Sequence, residues 1–333
     1  MEPPLAPPYA TAPTVTINLD ALTDNFHFLS EKVYPAECGA VVKTNAYGLG
    51  MGPIARTLAK AGCEHFFVAT AGSGAELRDL LANEEIFIFH GVCSEEEAAL
   101  TAAYNLIPVI STPRQLAVWK AYAHKTGVKL PTALQIDSGI NRLGFPLKEV
   151  QAMVQDADAF SGLDLRMVMS HLACSYEPEH ALTQQQFEIF AQMQKTFPGI
   201  RSSLVNSAGL FYREHHAGEI VRAGGALYGL NPPPAGGEPM ECVVTLEAPI
   251  LQIRTMEREE TVGYAATYTA KSGARIATIA IGYADGLLFC LGNKGKIWLA
   301  GYEVPIVGKV SMDLITVDIS ELPEGAVQEG DMA

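Results

Sequence analysis

Lys43 closes a short apolar run, Ala40-Val41-Val42, and is followed at once by the polar, glycine-containing stretch Thr44-Asn45-Ala46-Tyr47-Gly48-Leu49-Gly50. A buried strand that ends on lysine delivers an amine to the mouth of a core, where an ammonium is costly to hold away from water. A desolvated lysine gives up its proton more readily and becomes a nucleophile for carbonyls. The plainer alternative is a rim lysine whose stem lies on the core while its amine reaches water. Groups further along the chain weigh on the first reading. Asp137-Ser138-Gly139-Ile140-Asn141-Arg142 follows a later apolar run, and His171 ends another. Asn206-Ser207-Ala208-Gly209 follows a third, and Arg222 ends a fourth, just ahead of Ala223-Gly224-Gly225. Ser207 can offer a hydroxyl, Tyr47 a phenol, and Gly224 and Gly225 unobstructed backbone N–H groups, which together suit a phosphate held without a net basic patch. Singly, Ser207 could cap a helix, the glycines could form a turn, and His171 could be a hydrogen-bonded core histidine.

The elements that must position these groups follow from the hydrophobic pattern. From 37 to 222, short apolar runs alternate with longer helical patterns, and eight such runs stand at 37–43, 64–69, 85–90, 106–110, 131–136, 164–171, 201–205 and 218–222. Helical segments such as 94–104 and 113–124 begin after Ser94 and Thr112, residues suited to cap them. Strands alternating with helices imply right-handed crossovers and a parallel sheet, and eight repeats imply closure into a barrel. In such barrels chemistry gathers at the carboxyl ends of the strands, and phosphate often binds after the last two. Lys43, Arg142, His171, Ser207 and Arg222 all fall at those ends.

The fold class is therefore α/β. An N-terminal (β/α)8, TIM-like barrel spans 15–236, and a C-terminal all-β domain spans 237–333, joined by the N-terminal arm 1–14. The boundary lies in Asn231-Pro232-Pro233-Pro234-Ala235-Gly236-Gly237, whose prolines and glycines continue neither a helix nor a central strand. Beyond it, 242–254, 275–281, 296–299 and 304–319 read as strands separated by turn residues, with no helix-length pattern between them.

Composition narrows the functional classes. A chain of 333 residues fits two domains, and 48% hydrophobic against 18% charged residues makes it globular, not disordered. With 37 acidic and 23 basic residues the net charge is −14, which repels polyphosphate and excludes nucleic acid as a partner. The six cysteines show no C-x-x-C pairing, so a reducing, cytoplasmic setting is expected. Met1-Glu2-Pro3-Pro4-Leu5-Ala6-Pro7-Pro8 lacks the basic and apolar regions of a signal peptide, no apolar run approaches a membrane span, and no metal-ligand spacing is visible.

A phosphate site beside an available lysine in a barrel points to pyridoxal 5'-phosphate, whose aldehyde forms an imine with the amine and whose ring takes up carbanion charge. If Arg222 faces the pyridine nitrogen, a guanidinium that cannot release a proton leaves that nitrogen unprotonated and weakens the electron sink. Such a site favours brief proton removal over long-lived carbanions.

The segments 40–48, 137–144, 206–209 and 221–229, with Val262-Gly263-Tyr264 and Gly308-Lys309-Val310-Ser311-Met312-Asp313, resemble the pyridoxal-phosphate-dependent alanine racemases of fold type III. The resemblance runs through both domains in the family order. It implies a head-to-tail homodimer in which each barrel mouth is closed by the β domain of the other chain. It implies that Lys43 carries the cofactor and acts as one base, and that the partner's Tyr264 acts as the other on the opposite face. By the same resemblance Lys43, Tyr47, Arg142, His171, Asn206, Ser207, Arg222, Gly224 and Gly225 hold the cofactor, while Arg142 and the partner's Met312 meet the substrate carboxylate. The implied activity interconverts L-alanine and D-alanine in the cytoplasm, as a supply for peptidoglycan. Inversion suits a base on each face, since a single base tends to return the proton where it was. Tyrosine is a poor base at its free pKa, so neighbouring cations must favour the phenolate, with His171 and Arg222 as the relay.

Two departures stand out. Gln135 occupies a position where many members carry a lysine modified to a carbamate, so an anion from solvent is expected beside Arg142. The β domain also reads as cut short, without the strands that in relatives bring a further tyrosine to the cofactor phosphate, a contact worth about 1.5–3 kcal/mol. Alternatives are a broad-specificity or serine-preferring racemase, a non-catalytic pyridoxal-phosphate-binding protein, and a decarboxylase. Tyr264 and Met312 argue against the second, and Arg222 against the third.

Overall fold

The computed structural model describes residues 11–177, 179–211, 218–230 and 240–333. The boundary expected at 231–237 and most of the N-terminal arm lie outside these residues. Two compact units emerge, one formed by Ile17–Val243 and the other by 11–16 together with Val244–Ala333.

The first unit is a barrel. Its strands are β1 (Glu37–Val41), β2 (His65–Val68), β3 (Glu85–Ile88), β4 (Ile107–Ile110), β5 (Leu130–Asp137), β6 (Leu163–Met169), β7 (Arg201–Ser203) and β8 (Ile220–Ala223). Neighbours pair in parallel from β1 to β7, and β8 returns to lie beside β1 with Ile220 opposite Glu37 and Ala223 opposite Ala40. Closure between β7 and β8 uses the Glu219 N–H to the Ser202 carbonyl (2.9 Å) and the Arg222 N–H to the Val205 carbonyl (3.0 Å). Each run expected from the sequence contains or overlaps its strand. Seven helices are described around the ring, α1 (Leu19–Val33), α2 (Met51–Lys60), α3 (Ala71–Arg78), α4 (Glu95–Ala103), α5 (Pro113–Thr126), α6 (Leu147–Gln155) and α7 (Ala181–Thr196). Ser94 and Thr112 cap α4 and α5 by accepting the N–H groups of Glu97 and Gln115, both at 3.2 Å. Among the described residues β7 and β8 are followed only by the tight turns Gly209–Phe211 and Gly225–Tyr228. Buried Asn25 on α1 secures the second of these turns, donating to the carbonyls of Leu227 (3.2 Å) and Glu241 (3.0 Å).

The barrel interior is packed with Val41, Phe67, Phe87, Val109, Met167 and Ile220, among others. Phe67 stacks on Phe87 (4.8 Å) and on Phe89 (5.5 Å). Gly39 on β1 makes room for this stack, since a Cβ there would lie 2.7 Å from the Phe67 ring.

At the amino ends of the strands a charged cluster plugs the floor. Buried His65 meets Glu37 through Nε2 at 2.5 Å and approaches Glu85 through Nδ1 at 3.1 Å, while Arg201 bonds both oxygens of Glu85 at 2.8 and 2.6 Å. These four residues lie at the starts of β1, β2, β3 and β7, so their side-chain bonds tie the ring together from below.

The second unit is all β. Thr14–Ile17 pairs with β9 (Val244–Glu247), while β10 (Ile250–Thr255), β13 (Arg275–Ile279), β14 (Lys296–Leu299), β15 (Tyr302–Val307) and β16 (Ile315–Asp318) form an antiparallel sheet in the order β10-β13-β16-β15-β14. A separate hairpin joins β11 (Glu260–Val262) to β12 (Tyr268–Ala270). Two expectations need correction. The run 242–254 is two strands, broken at Ala248-Pro249, where proline has no N–H for a ladder. The run 304–319 stops at Val307 and resumes at Ile315, because Gly308 takes a φ of 76° and turns the chain into a loop. The hairpin at 260–270 was not expected at all, since strands of three residues are too short to show alternation.

Burial raises the Glu85 carboxyl, but the neighbouring His65 and Arg201 lower it further and leave it at about 2, against an ordinary value of 4.5. A depressed folded-state value means stability that is present above the unfolded value and lost as the pH falls through the folded one. Glu85→Gln should therefore lower stability by about 1–2 kcal/mol near neutral pH, with the gap to wild type closing as the pH falls from about 4.5 towards 2. Thermal unfolding across that range measures it, and a gap that stayed constant would refute the assignment.

Candidate active site

Lys43 follows β1 where the chain leaves the barrel wall in an unusual way. Thr44, Asn45, Ala46 and Tyr47 have φ of 55°, 53°, 52° and 58°, and Gly48 follows at 88°. Four successive left-handed non-glycine residues cost about 1–2 kcal/mol each, so the surroundings must impose the turn. Within it, Ala46 N–H donates to the Val42 carbonyl and Gly48 N–H to the Thr44 carbonyl, both at 2.9 Å. Asn45 Oδ1 accepts the Met51 N–H at 2.7 Å and so anchors the turn to the start of α2. Tyr228 adds a hydroxyl bond to the Val41 carbonyl (2.9 Å) and packs its ring on Tyr47 at 4.8 Å. Lys43 thereby lines a cavity of about 390 Å³ with Phe89, Gln135, Arg142, Met169 and His171, its Nζ 5.8 Å from the centre of the Phe89 ring.

Arg222 lies at the carboxyl end of β8 and is 2% exposed. Nη1 donates to the Ser203 carbonyl (2.9 Å) and the Ser203 hydroxyl, and Nη2 to the carbonyls of Ser170 (2.7 Å) and Leu204 (3.2 Å). Nη2 also lies 3.1 Å from His171 Nδ1. Guanidinium has no acceptor, so this Nδ1 must accept and the neutral ring carries its proton on Nε2. Burial lowers Arg222 to about 9, which leaves it charged at neutral pH. Burial, followed by the charges of Arg222, Arg142 and Lys43, pushes His171 down to about 3.

The chain just past Arg222 forms a glycine-lined cradle. Ser207 Oγ accepts the Gly224 N–H (2.7 Å) and the Ala226 N–H (3.3 Å). A Cβ on Gly224 would come 2.5 Å from the Tyr47 hydroxyl, so the left-handed turn aims that phenol at the glycines. Asn206 shapes the same rim, donating to Ser175 Oγ (3.1 Å) and accepting the Gly209 N–H (3.2 Å). Arg142 is exposed on a loop folded around Asp137 Oδ1, which accepts the N–H groups of Gly139 (2.9 Å) and Asn141 (3.1 Å). Buried Gln135 lines the cavity beside it.

Tyr264 and Met312 belong to the second unit. Tyr264 is 71% exposed on the β11–β12 turn, after Gly263 at a φ of 78° and before Ala265 at 58°. Met312 is exposed on the loop after β15. Asn293 ties these loops together, donating to Thr267 Oγ1 (3.1 Å) and accepting the Gly308 N–H (2.7 Å).

The chain matches the family model of the alanine racemase N-terminal domain over residues 17–232 and that of the C-terminal domain over 243–333. It belongs to the alanine racemase family. The catabolic alanine racemase of Mesorhizobium japonicum is 40% identical over 324 residues, 97% of this chain and 84% of the relative. The alanine racemase of Rhodospirillum rubrum is 41% identical over 321 residues, 96% of this chain and 85% of the relative. Among solved structures, alanine racemase from Bartonella henselae with covalently bound pyridoxal phosphate superposes with a TM-score of 0.90 at 34% identity, covering 96% of this chain and 89% of that one.

Within the barrel of this family member, Lys43, Tyr47, Arg142, His171, Asn206, Ser207, Arg222, Gly224 and Gly225 all lie at the strand ends or in the loops after them, as the sequence implied. Two participants were not singled out. Gln186, fully buried on α7, donates to the His171 carbonyl (2.8 Å) and Ser138 Oγ (3.1 Å) and accepts the Ala173 N–H (2.8 Å). Only its polarity on an otherwise buried helix face could have marked it. Tyr228 lay inside a recognised motif without an assigned task.

A histidine held down at about 3 stays neutral at assay pH, and it withdraws stability as the pH falls from about 6.5 through 3. The side-chain resonances of labelled His171 should therefore hold their neutral positions from about pH 8 to pH 4. A midpoint near the ordinary histidine value would contradict the proposed donor state.

Proposed function

We infer that this chain is an alanine racemase, a pyridoxal-phosphate-dependent isomerase that interconverts L-alanine and D-alanine. The observation that carries the reading is one barrel rim holding a cavity-facing lysine, a buried arginine paired with a neutral histidine, and a glycine cradle that a single Cβ would fill. The residues present fit the cofactor. When bound, it supplies a carbonyl for the lysine amine and a ring that takes up charge as the α-proton leaves. Tyr47, Ser207 and the N–H groups around Gly224 and Gly225 would hold its phosphate, the N–H groups of Gly224 and Ala226 exchanging their bonds to Ser207 Oγ for the phosphate, with Asn206 ordering the rim. Arg222 would meet the ring nitrogen with a donor that cannot be deprotonated at neutral pH, which limits how much charge the ring accepts.

Lys43 Nζ then moves a proton on one side of the substrate. For the other side we propose the partner's Tyr264 hydroxyl, in a head-to-tail homodimer, with Arg142 and the partner's Met312 holding the substrate carboxylate. His171, neutral with its proton on Nε2, can donate to that phenol oxygen. The exposure of Tyr264, Met312, Leu288 and Phe289 on the β unit supports a partner there, because aromatic and apolar side chains gathered on a surface favour burial. We place the enzyme in the cytoplasm, with D-alanine for peptidoglycan as its product.

Protein incubated with pyridoxal phosphate and L-alanine in heavy water should yield D-alanine carrying deuterium at the α carbon, read by chiral separation and mass. Release of carbon dioxide, or no enantiomer at all, would overturn the assignment. The shared site has its own test. Lys43→Ala and Tyr264→Phe should each be nearly inactive alone, whereas a refolded equimolar mixture should regain about a quarter of wild-type activity, since half the dimers then hold one intact site of two. A mixture as inactive as its parents would place both bases in one chain.

A further inference from the structure

Tyr228 lies in the turn that follows β8, the same turn whose first residues form the glycine cradle. Its hydroxyl bonds across to β1, on the Val41 carbonyl, two residues before Lys43. Its ring lies against Tyr47, four residues after Lys43. Val41 and Tyr228 are both 6% exposed, so water has little access to replace that bond. Burial and then Tyr47 and Cys63 push the Tyr228 phenol above its ordinary value, which keeps it a donor at working pH.

We propose that Tyr228 is a positioning residue that registers the lysine to the phosphate cradle, fixing β1 through the Val41 carbonyl and Tyr47 through ring contact. The left-handed turn is the reason such a clamp is needed. Residues 44–47 hold a conformation that relaxes once its ends are released, and relaxation would carry the Tyr47 phenol away from Gly224. Removing the Tyr228 hydroxyl leaves a buried carbonyl unpaired at the one point where the strand gives way to that turn. The cofactor should feel this loss through Tyr47, a side chain Tyr228 touches, without any contact of its own. The inference rests on the proposed pyridoxal-phosphate reading.

The test is titration of the apoprotein with pyridoxal phosphate, followed by absorbance, for wild type, Tyr228→Phe, Tyr47→Phe and the double variant. Tyr228→Phe should raise Kd about five- to tenfold. In the Tyr47→Phe background the same change should add less than about twofold, since the residue it positions is already lost. Hydrogen exchange supplies a second readout: the Ala46 and Gly48 amides should exchange about tenfold faster in Tyr228→Phe, with amides of β4 and β5 unchanged. A wild-type Kd in Tyr228→Phe, or equal factors in both backgrounds, would overturn the positioning role while leaving the cofactor reading intact. Acceleration spread evenly over the barrel would reduce Tyr228 to a general stability residue. Wild-type protein that bound no pyridoxal phosphate would sink both proposals.

Discussion

The Arg222 guanidinium is a full positive charge almost without access to water, and no carboxylate pairs it among the described residues. Its solvation comes instead from three backbone carbonyls, a serine hydroxyl and an imidazole nitrogen. A carboxylate there would neutralise the charge. Carbonyl dipoles stabilise the cation while leaving its positive field to act on whatever approaches. That choice propagates outward. His171 is forced to accept from Arg222 and stays neutral, and Ser170, Ser203 and Leu204 are constrained because their carbonyls serve the guanidinium instead of solvent.

The barrel supplies what this arrangement requires. Carbonyls from the ends of β6 and β7 converge on Arg222 only because the ring closes between β7 and β8, and that closure rests on a few backbone bonds following a strand of three residues. Stiffness is provided from both sides. Below, His65, Glu37, Glu85 and Arg201 tie strand starts together, and above, Gln186 links the loops after β5 and β6. The left-handed turn after Lys43 is the complementary case. Backbone strain there is confined to one segment, held by the Tyr228 bond to the strand before it and by its own Asn45 side chain on the start of α2.

Much of this was legible in the sequence because period and punctuation carry it. Strand runs ended on polar residues at the places where a barrel presents them, and caps such as Ser94 and Thr112 mark helix starts through hydrogen bonds that span only three residues. The handedness of the turn at Thr44-Asn45-Ala46-Tyr47 was not legible, since only Asn45 has a local preference for that region and the remainder is imposed by residues far along the chain. Gln186 and Tyr228 escaped for a related reason: each acts on a backbone carbonyl, and a carbonyl leaves no trace in residue type. The division of the 304–319 run was readable in principle from Gly308, whose positive φ ends the strand.

Exposure of Tyr264 follows from the same logic of strain. Its turn contains Gly263, Ala265 and Ala266 at φ of 78°, 58° and 50°, and alanine gains nothing by itself from a left-handed conformation. A hairpin loop selected for stability alone would place glycine or asparagine at such positions and would not leave a phenol 71% exposed at the tip. Neighbouring loops hold it rigidly through Asn293 and the Gly308 N–H, so the tyrosine is presented on a stiff support. The barrel rim, by contrast, delivers every one of its polar groups from strand ends on a single face. In the reading proposed above, a second proton acceptor opposed to Lys43 would come from outside that rim, and the exposed Tyr264 phenol of a partner chain is the group we propose for it.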